Sequence, residues 1–166
     1  ELVAVMNRNL TKAKRYAERY NVQYYYDSAK DLVSNPHINA VYIATPNYQH
    51  CEHTCMAAEE GLHILCEKPM AISLEQAERM VSICRENNVK LMIGNVMRFH
   101  SCHQRVKNWI RKGLLGEITA VKARFDFYLL PESRQWRFVP ELSGGGAAMD
   151  VGIHCVDLLR YFVGKE

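Results

Sequence analysis

The sequence lacks the features typical of disulfide-rich, zinc-binding, membrane-spanning and nucleic-acid-binding proteins. Its six cysteines form no Cys-x-x-Cys pair, which argues against a disulfide framework and against a structural zinc site. No apolar run approaches the roughly 18 residues that span a membrane, and no segment is typical of a signal peptide. The 21 basic residues are scattered, which disfavours nucleic-acid and membrane-surface binding. We therefore expect a reduced, cytoplasmic protein without a metal site.

Short apolar runs alternate with helical patterns through the first part of the chain. Asn9, Ser28 and Ser73 stand where helix N-caps are expected, Gln76 completes a capping box with Ser73, and Gly61 follows a predicted helix. Short strands separated by helices of ten or more residues are typical of βαβ units. The pattern predicts an α/β fold with a doubly wound parallel sheet. The strand-length runs are residues 2–6, 23–26, 40–44, 63–65 and 90–94.

The glycines do not supply the turn that normally opens such a sheet. None of the nine glycines falls in a Gly-x-Gly-x-x-Gly spacing, which would follow the first strand of a Rossmann-type sheet. We therefore expect a sheet that lacks its first strand and glycine-rich loop. One such strand and its helix correspond to roughly 30 residues before Glu1, and we expect further chain after Glu166.

The pattern changes near residues 98–100. A helix is predicted over about 101–112, and the alternating polarity of residues 117–129 predicts a longer strand with one wetter face. Three consecutive glycines then precede a final helix predicted over about 149–163. This pattern is typical of the first elements of an α+β domain.

Polar residues follow the predicted strands at the edge where parallel sheets bind ligands. Thr45-Pro46-Asn47 follows one strand, and Glu67-Lys68-Pro69 follows the next. A lysine that loses water at this edge becomes a candidate for proton transfer, and Pro69 allows a cis peptide bond. Each segment is also consistent with an ordinary turn or a charged loop.

The last predicted helix carries a second candidate group. Asp150 and His154 are four residues apart and therefore share one helix face, and Asp157 lies near the same face. The preceding glycines let a ligand or backbone come close. Such a pair could bind substrate hydroxyls and pass a proton. The alternative is an acid that interacts with the helix dipole and a histidine that belongs to the core.

Five segments in this order resemble the Gfo/Idh/MocA family of NAD(P)-dependent oxidoreductases, which includes glucose–fructose oxidoreductase, inositol dehydrogenase and dihydrodiol dehydrogenase. They cover nearly the whole chain. The resemblance implies a partial dinucleotide-binding domain over residues 1–98. It also implies the start of a substrate and oligomerisation domain over 99–166. The segments are ATPNYQH, CEKPMAIS, IGNVMRF, KGLLGEI and GGGAAMDVGIHCVDLLRYFVG.

The resemblance also implies roles for individual residues. Lys68 would be the catalytic lysine, with His154 near the reacting hydroxyl and Asp150 helping to hold the substrate. Trp136 and Arg137 would bring a loop back toward the nicotinamide. A homo-oligomer formed through the second-domain sheet is implied as well. The dinucleotide would be lined by Thr45, Asn47, His50, Glu67, Lys68 and Arg98.

The end of the first strand run bears on the choice of cofactor. A carboxylate often stands there to bind the ribose 2′-hydroxyl of NAD, but this chain has Met6-Asn7-Arg8. Without the carboxylate, a 2′-phosphate is not repelled, and Arg8 could pair with it. This predicts NADP over NAD, although an arginine at this place can also stack on adenine.

These observations together predict an oxidoreductase that transfers a hydride between a secondary alcohol of a sugar, cyclitol or related polyol and a nicotinamide cofactor. One alternative is a non-catalytic NAD(P)-binding sensor of the same fold, and another is an inactive fragment. The presence of Lys68, Asp150 and His154 favours the enzyme.

Overall fold

The computed structural model describes residues 1–128, 130 and 135–164. Its strands are all parallel and form two sheets, which confirms the predicted α/β class. One sheet pairs β1 (Ala4–Met6) with β2 (Tyr24–Tyr26). The other has the order β3 (Ala40–Ile43), β4 (His63–Cys66) and β5 (Leu91–Ile93). The carboxyl ends of the last three strands therefore lie at one edge.

The helices between these strands begin where the sequence predicted. They are α1 (Leu10–Tyr20), α2 (Ala29–Val33), α3 (His50–Glu59) and α4 (Leu74–Glu86). Asn9, Ser28 and Ser73 each accept a hydrogen bond from a backbone N–H in the first turn. Each such cap satisfies a donor that has no partner inside the helix.

The capping box predicted at the start of α4 is only half formed. Ser73 Oγ accepts from Gln76 N at 3.2 Å. The return bond would need Gln76 Oε1, but that atom is buried and has no partner among the described residues. The serine alone therefore caps the helix.

The core lies between the three-stranded sheet and helices α3 and α4. Along β4 the side chains alternate, with Ile64 and Cys66 buried and His63 and Leu65 exposed. Met80 of α4 is fully buried against this face. The packing fixes where each strand ends, and thus where the loops after β3, β4 and β5 begin.

The second part of the described chain is helical. It contains α5 (Ser101–Arg111), α6 (Pro140–Ser143) and α7 (Ile153–Val163). The final helix was predicted to start at about 149, but residues Ala148–Gly152 form a π-helical turn that leads into α7. Such wider turns are frequent at functional sites.

The long strand predicted over residues 117–129 is wrong for 117–128, and Leu129 lies outside the described residues. Residues 117–128 contain no strand and pair with none of the five strands described. A strand needs a neighbour for its backbone N–H and C=O groups. Alternating polarity indicates which side chains would face the core, but it does not supply that neighbour.

Gly144 allows the second part of the chain to pack closely on the first. It has a φ of 82°, and a Cβ built on it would lie 2.8 Å from Ile72 Cα. We expect Gly144→Ala to lower the free energy of unfolding by at least the cost of a left-handed non-glycine residue, about 1–3 kcal/mol. Urea denaturation of the full-length protein measures this.

Gly116→Ala is the matched control. Gly116 also has a positive φ of 69°, but apart from its chain neighbours no atom of the described residues lies within 4 Å of its built Cβ. Its substitution therefore carries the backbone cost without the clash. Equal losses for the two variants would show that the close approach to Ile72 contributes nothing to stability.

Candidate active site

Lys68 lies in the loop after β4 and reaches across to the π-helical turn before α7. Its Nζ donates to the Asp150 carbonyl oxygen at 2.6 Å and to Asp150 Oδ1 at 3.1 Å. The Lys68 side chain is only 15% exposed, and the Lys68–Pro69 peptide bond is cis. Two of the three ammonium protons are thereby directed to one residue. The structure thus joins two of the three residues predicted to be catalytic.

The Asp150 carboxylate is shared between two cations. Its Oδ2 accepts from Arg137 Nη1 at 3.0 Å, while its Oδ1 accepts from Lys68. Arg137 lies on the 3-10 turn Gln135–Phe138, and its Nε is buried without an acceptor among the described residues. Charge-assisted hydrogen bonds of this kind are stronger than neutral ones, so both carboxylate oxygens are held in place.

His154 stands at the start of α7 and is buried. Its pKa lies below the ordinary value because burial disfavours the imidazolium and because the charge of Lys68 opposes a second cation nearby. Asp150, Asp157 and Glu67 act in the opposite direction. The ring is therefore neutral at neutral pH and has one nitrogen that donates and one that accepts. Such a ring can hydrogen-bond a substrate hydroxyl in either sense.

Glu67 is held at the sheet edge by two donors. Tyr42 Oη donates to Oε1 at 2.6 Å, and the backbone N–H of Lys68 donates to Oε2 at 3.3 Å. The hydrogen bond to Glu67 is the main cause that raises the pKa of Tyr42 to about 12. The Glu67 carboxyl group lies 3.4 Å from where a Cβ on Gly94 would be. Glu67 is therefore fixed between the ends of β3 and β5.

The predicted cofactor residues after β3 have partners inside the protein. His50 is fully buried, with Nε2 2.9 Å from the Thr45 carbonyl oxygen and Nδ1 2.8 Å from that of Pro69. Asn47 is also buried, and its Nδ2 donates to the Ser143 carbonyl oxygen at 2.9 Å. These side chains connect loops to one another. Their contact with a cofactor stays a prediction.

Arg98, in the turn after β5, forms a fork-like ion pair with Asp157 of α7. Its Nε lies 3.0 and 2.9 Å from the two carboxylate oxygens, and its Nη2 lies 2.6 Å from Oδ1. The Asp157 side chain is 9% exposed and that of Arg98 is 43% exposed. The Arg98 guanidinium also lies over the ring of Tyr161. The prediction that Arg98 lines the cofactor stays a prediction; what the structure shows is that Arg98 binds α7 through Asp157.

Asn7 and Arg8 lie at the end of β1, on the other sheet. Asn7 N donates to the Tyr26 carbonyl oxygen at 3.1 Å, and Asn7 Oδ1 accepts from Asn9 N at 3.0 Å. Arg8 is exposed. Its guanidinium is therefore accessible to a ligand.

The cysteines near the site are poor nucleophiles. Burial raises the pKa of Cys66 to about 12 and that of Cys51 to about 11, so both thiols stay protonated at neutral pH. Over residues 1–128, 130 and 135–164, no group of three His, Cys, Asp or Glu side chains is placed to hold a metal ion. No helix in those ranges has the length and apolar character needed to cross a membrane. The catalytic roles predicted for Lys68, Asp150 and His154 stay predictions, and the structure shows Lys68 and Asp150 in contact.

Two family models match the chain. Residues 1–95 match the model described as "Oxidoreductase family, NAD-binding Rossmann fold", and residues 103–166 match "GFO/IDH/MocA C-terminal domain". The chain belongs to the Gfo/Idh/MocA oxidoreductase family. This confirms the resemblance seen in the sequence.

Relatives of this Gfo/Idh/MocA chain include enzymes named for sugars. It is 32% identical to a 1,5-anhydro-D-fructose reductase of Ensifer adhaerens, over 100% of this chain and 50% of the relative. It is 39% identical to the D-xylose 1-dehydrogenase [NADP(+)] of Haloarcula marismortui, over 85% of this chain and 40% of the relative. The structure of a levoglucosan dehydrogenase in complex with NADH and levoglucosan has a TM-score of 0.85 and 30% identity, over 98% of this chain and 45% of that one. The chain thus spans about half the length of the relatives it matches.

The residues of the site fit the nicotinamide dinucleotide that Gfo/Idh/MocA proteins bind. A dinucleotide is anionic and rich in oxygen, so it needs cationic and N–H donors near a sheet edge. The exposed Arg8 is one such donor, and Arg137 Nε, which is buried and has no acceptor within the described ranges, is another. Within the part of the chain that the structure describes, Arg137 Nε thus has no acceptor, and Arg8 is accessible to a ligand.

Several residues of this Gfo/Idh/MocA site were missed at the sequence level. Tyr42 was read only as part of a buried strand, and Ser143 as part of a loop. Each contacts its partner across a long sequence distance, 25 residues for Tyr42 and Glu67 and 96 for Asn47 and Ser143. A short sequence pattern does not indicate a pairing between residues so far apart in the chain. Arg137 was identified only through the family resemblance.

Proposed function

We propose that the full-length protein transfers a hydride between a secondary alcohol of a sugar or related polyol and NAD(P). The observation that carries this proposal is the contact of Lys68 Nζ with Asp150 at the carboxyl edge of the sheet. In this proposal Lys68 is the proton-transferring group, and its support is that the amine lies beside a carboxylate and that its charge acts on the His154 ring. Relatives named as sugar reductases and dehydrogenases support the substrate class.

The bound cofactor would supply the hydride acceptor, and the protein must supply position and a base. In the oxidative direction the alcohol loses a hydride from carbon and a proton from oxygen, and a carbonyl group forms. Lys68, once its amine has released its own proton, takes the hydroxyl proton and becomes again the ammonium that the Asp150 carboxylate binds. His154, whose pKa is lowered first by burial, hydrogen-bonds the substrate oxygen.

Cofactor reduction over a panel of sugars and inositols tests this proposal. We expect turnover with at least one polyol when NADP or NAD is present. A protein that binds the cofactor tightly but turns over none of the panel would favour the non-catalytic sensor. Assembly into a homo-oligomer through the second domain and a cytoplasmic location belong to the same proposal and follow from the family resemblance and the composition alone.

We further propose that NADP is preferred, because Arg8 is exposed at the end of β1 and no carboxylate stands beside it. We expect Arg8→Glu to weaken NADP binding about 10- to 100-fold, the loss of a charge-assisted hydrogen bond, and to leave NAD binding nearly unchanged. Fluorescence titration with the two cofactors measures this. Arg15→Glu, on the exposed face of α1, is the control. An equal loss for both cofactors would mean that Arg8 does not read the 2′-phosphate.

A further inference from the structure

The Asp150 carboxylate binds two cations, Lys68 and Arg137, that differ in their acid–base chemistry. Asp150 Oδ1 binds the Lys68 ammonium at 3.1 Å, and Asp150 Oδ2 binds the Arg137 guanidinium at 3.0 Å. All three side chains are 24% exposed or less, so water screens their charges only in part. A guanidinium does not lose its proton in proteins, whereas an ammonium does. Lys68 is therefore the one of these two cations that can exchange a proton with a substrate.

We propose that Arg137 is a positioning residue that controls the protonation of Lys68 by competing with it for Asp150. This inference rests on the proposed function of Lys68 as the proton-transferring group. With Arg137 present, the carboxylate charge is divided between two partners, and a second positive charge lies on the other oxygen of the same carboxylate. Both effects favour release of the Lys68 proton. Without Arg137, Asp150 would stabilise the ammonium alone.

Three further groups described near Lys68 are Glu67, Asp157 and His154, and each has a different state. Glu67, at the end of β4, accepts from Tyr42 and from the backbone of Lys68. On α7, the Asp157 carboxylate pairs with Arg98, and His154 is neutral because burial and the charge of Lys68 lower its pKa. Removal of Arg137 therefore changes the charge at Asp150 more directly than at any of these groups.

The pH dependence of kcat/KM for polyol oxidation by the full-length protein tests this. In Arg137→Gln we expect the acid limb to move to higher pH by about one unit, with an activity loss of about tenfold at neutral pH that is recovered at alkaline pH. Arg137→Lys restores a positive charge beside Asp150. It should return the acid limb of the pH profile most of the way to its position in the unmodified protein. Arg124→Gln is the matched control, since Arg124 pairs with Asp126 on the surface, where the two side chains are 81% and 67% exposed.

A second readout does not depend on activity. Reductive methylation with formaldehyde modifies only the neutral amine, so its rate at Lys68, followed by peptide mass spectrometry, reports protonation directly. We expect the pH at which Lys68 becomes reactive to rise in Arg137→Gln and to stay unchanged in Arg124→Gln. An unchanged methylation profile would overturn the role of Arg137. A shifted profile in a protein that oxidises no polyol would support the coupling while rejecting the proposed function.

A purely structural role for Arg137 predicts a different outcome. It would lower activity or raise KM by the same factor at every pH, and Arg137→Lys would not rescue the position of the acid limb. That result would also overturn the proposal. Circular dichroism of each variant checks that the fold is retained.

Discussion

Lys68→Met is expected to lower turnover by about 10²- to 10⁴-fold, the usual contribution of a positioned acid–base group. Methionine keeps most of the length and the apolar stem of the side chain but cannot exchange a proton. Asp150 would still bind Arg137 through Oδ2, so the carboxylate is not left buried without a partner. Cofactor binding should survive, because the substitution leaves Arg8, Thr45 and Glu67 in place. Steady-state kinetics and a separate cofactor titration measure the two effects.

Lys112→Met is the control for the loss of a lysine, because Lys112 is exposed at the end of α5. Its turnover should match that of the unmodified protein. If Lys68→Met retained turnover within a few-fold, Lys68 would not be the proton-transferring group. If it lost turnover and cofactor binding together, Lys68 would act mainly in binding.

Arg98→Met is expected to lower the free energy of unfolding by about 3 kcal/mol, near the lower end for breaking a buried ion pair, since the arginine itself is partly exposed. The reason is that Asp157, with a side chain only 9% exposed, loses three hydrogen-bond contacts and keeps its charge. Urea denaturation of the full-length protein measures the loss. Activity should fall as well, because α7 carries His154 one turn from Asp157.

A double substitution separates the ion pair from the packing around it. Combining Arg98→Met with Asp157→Leu removes both charges, and replacing a buried pair by apolar residues is often close to neutral. The double variant should therefore be more stable than Arg98→Met alone. Arg124→Met breaks an exposed pair and should cost less than about 1 kcal/mol. A loss in Arg98→Met no larger than that in Arg124→Met would refute the buried-pair account.

The sequence correctly predicted the features that depend only on neighbouring residues in the chain. The caps at Asn9, Ser28 and Ser73 and the glycine after α3 are set by residues within one turn of the helix end, and all four were found. The π-helical turn at Asp150 was missed because its residues also suit an α-helix. The strand over 117–128 was wrong because pairing depends on a neighbour that the local pattern does not contain.

In the candidate site, too, the sequence predicted what depends on short motifs and did not predict what depends on distant contacts. The identity of Lys68, Asp150 and His154 was inferred from motifs, since each motif is short. What could not be inferred is which atoms they contact. The contact of Lys68 with Asp150 spans 82 residues and that of Arg98 with Asp157 spans 59. Such contacts depend on how the loops after β4 and β5 meet the turn before α7, and they emerge only when the chain is folded.

The two members of the Lys68–Asp150 pair come from different halves of the chain, and this division has an evolutionary consequence. Lys68 lies in the loop after β4, while Asp150 lies in the π-helical turn before α7, 82 residues later. If Lys68 is the base that we propose, substitutions beside Asp150 are expected to change which alcohol is accepted without altering the base itself. A chimera that exchanges the carboxyl-terminal half between relatives should inherit the donor's substrate range, provided that the exchanged half brings both Asp150 and Arg137.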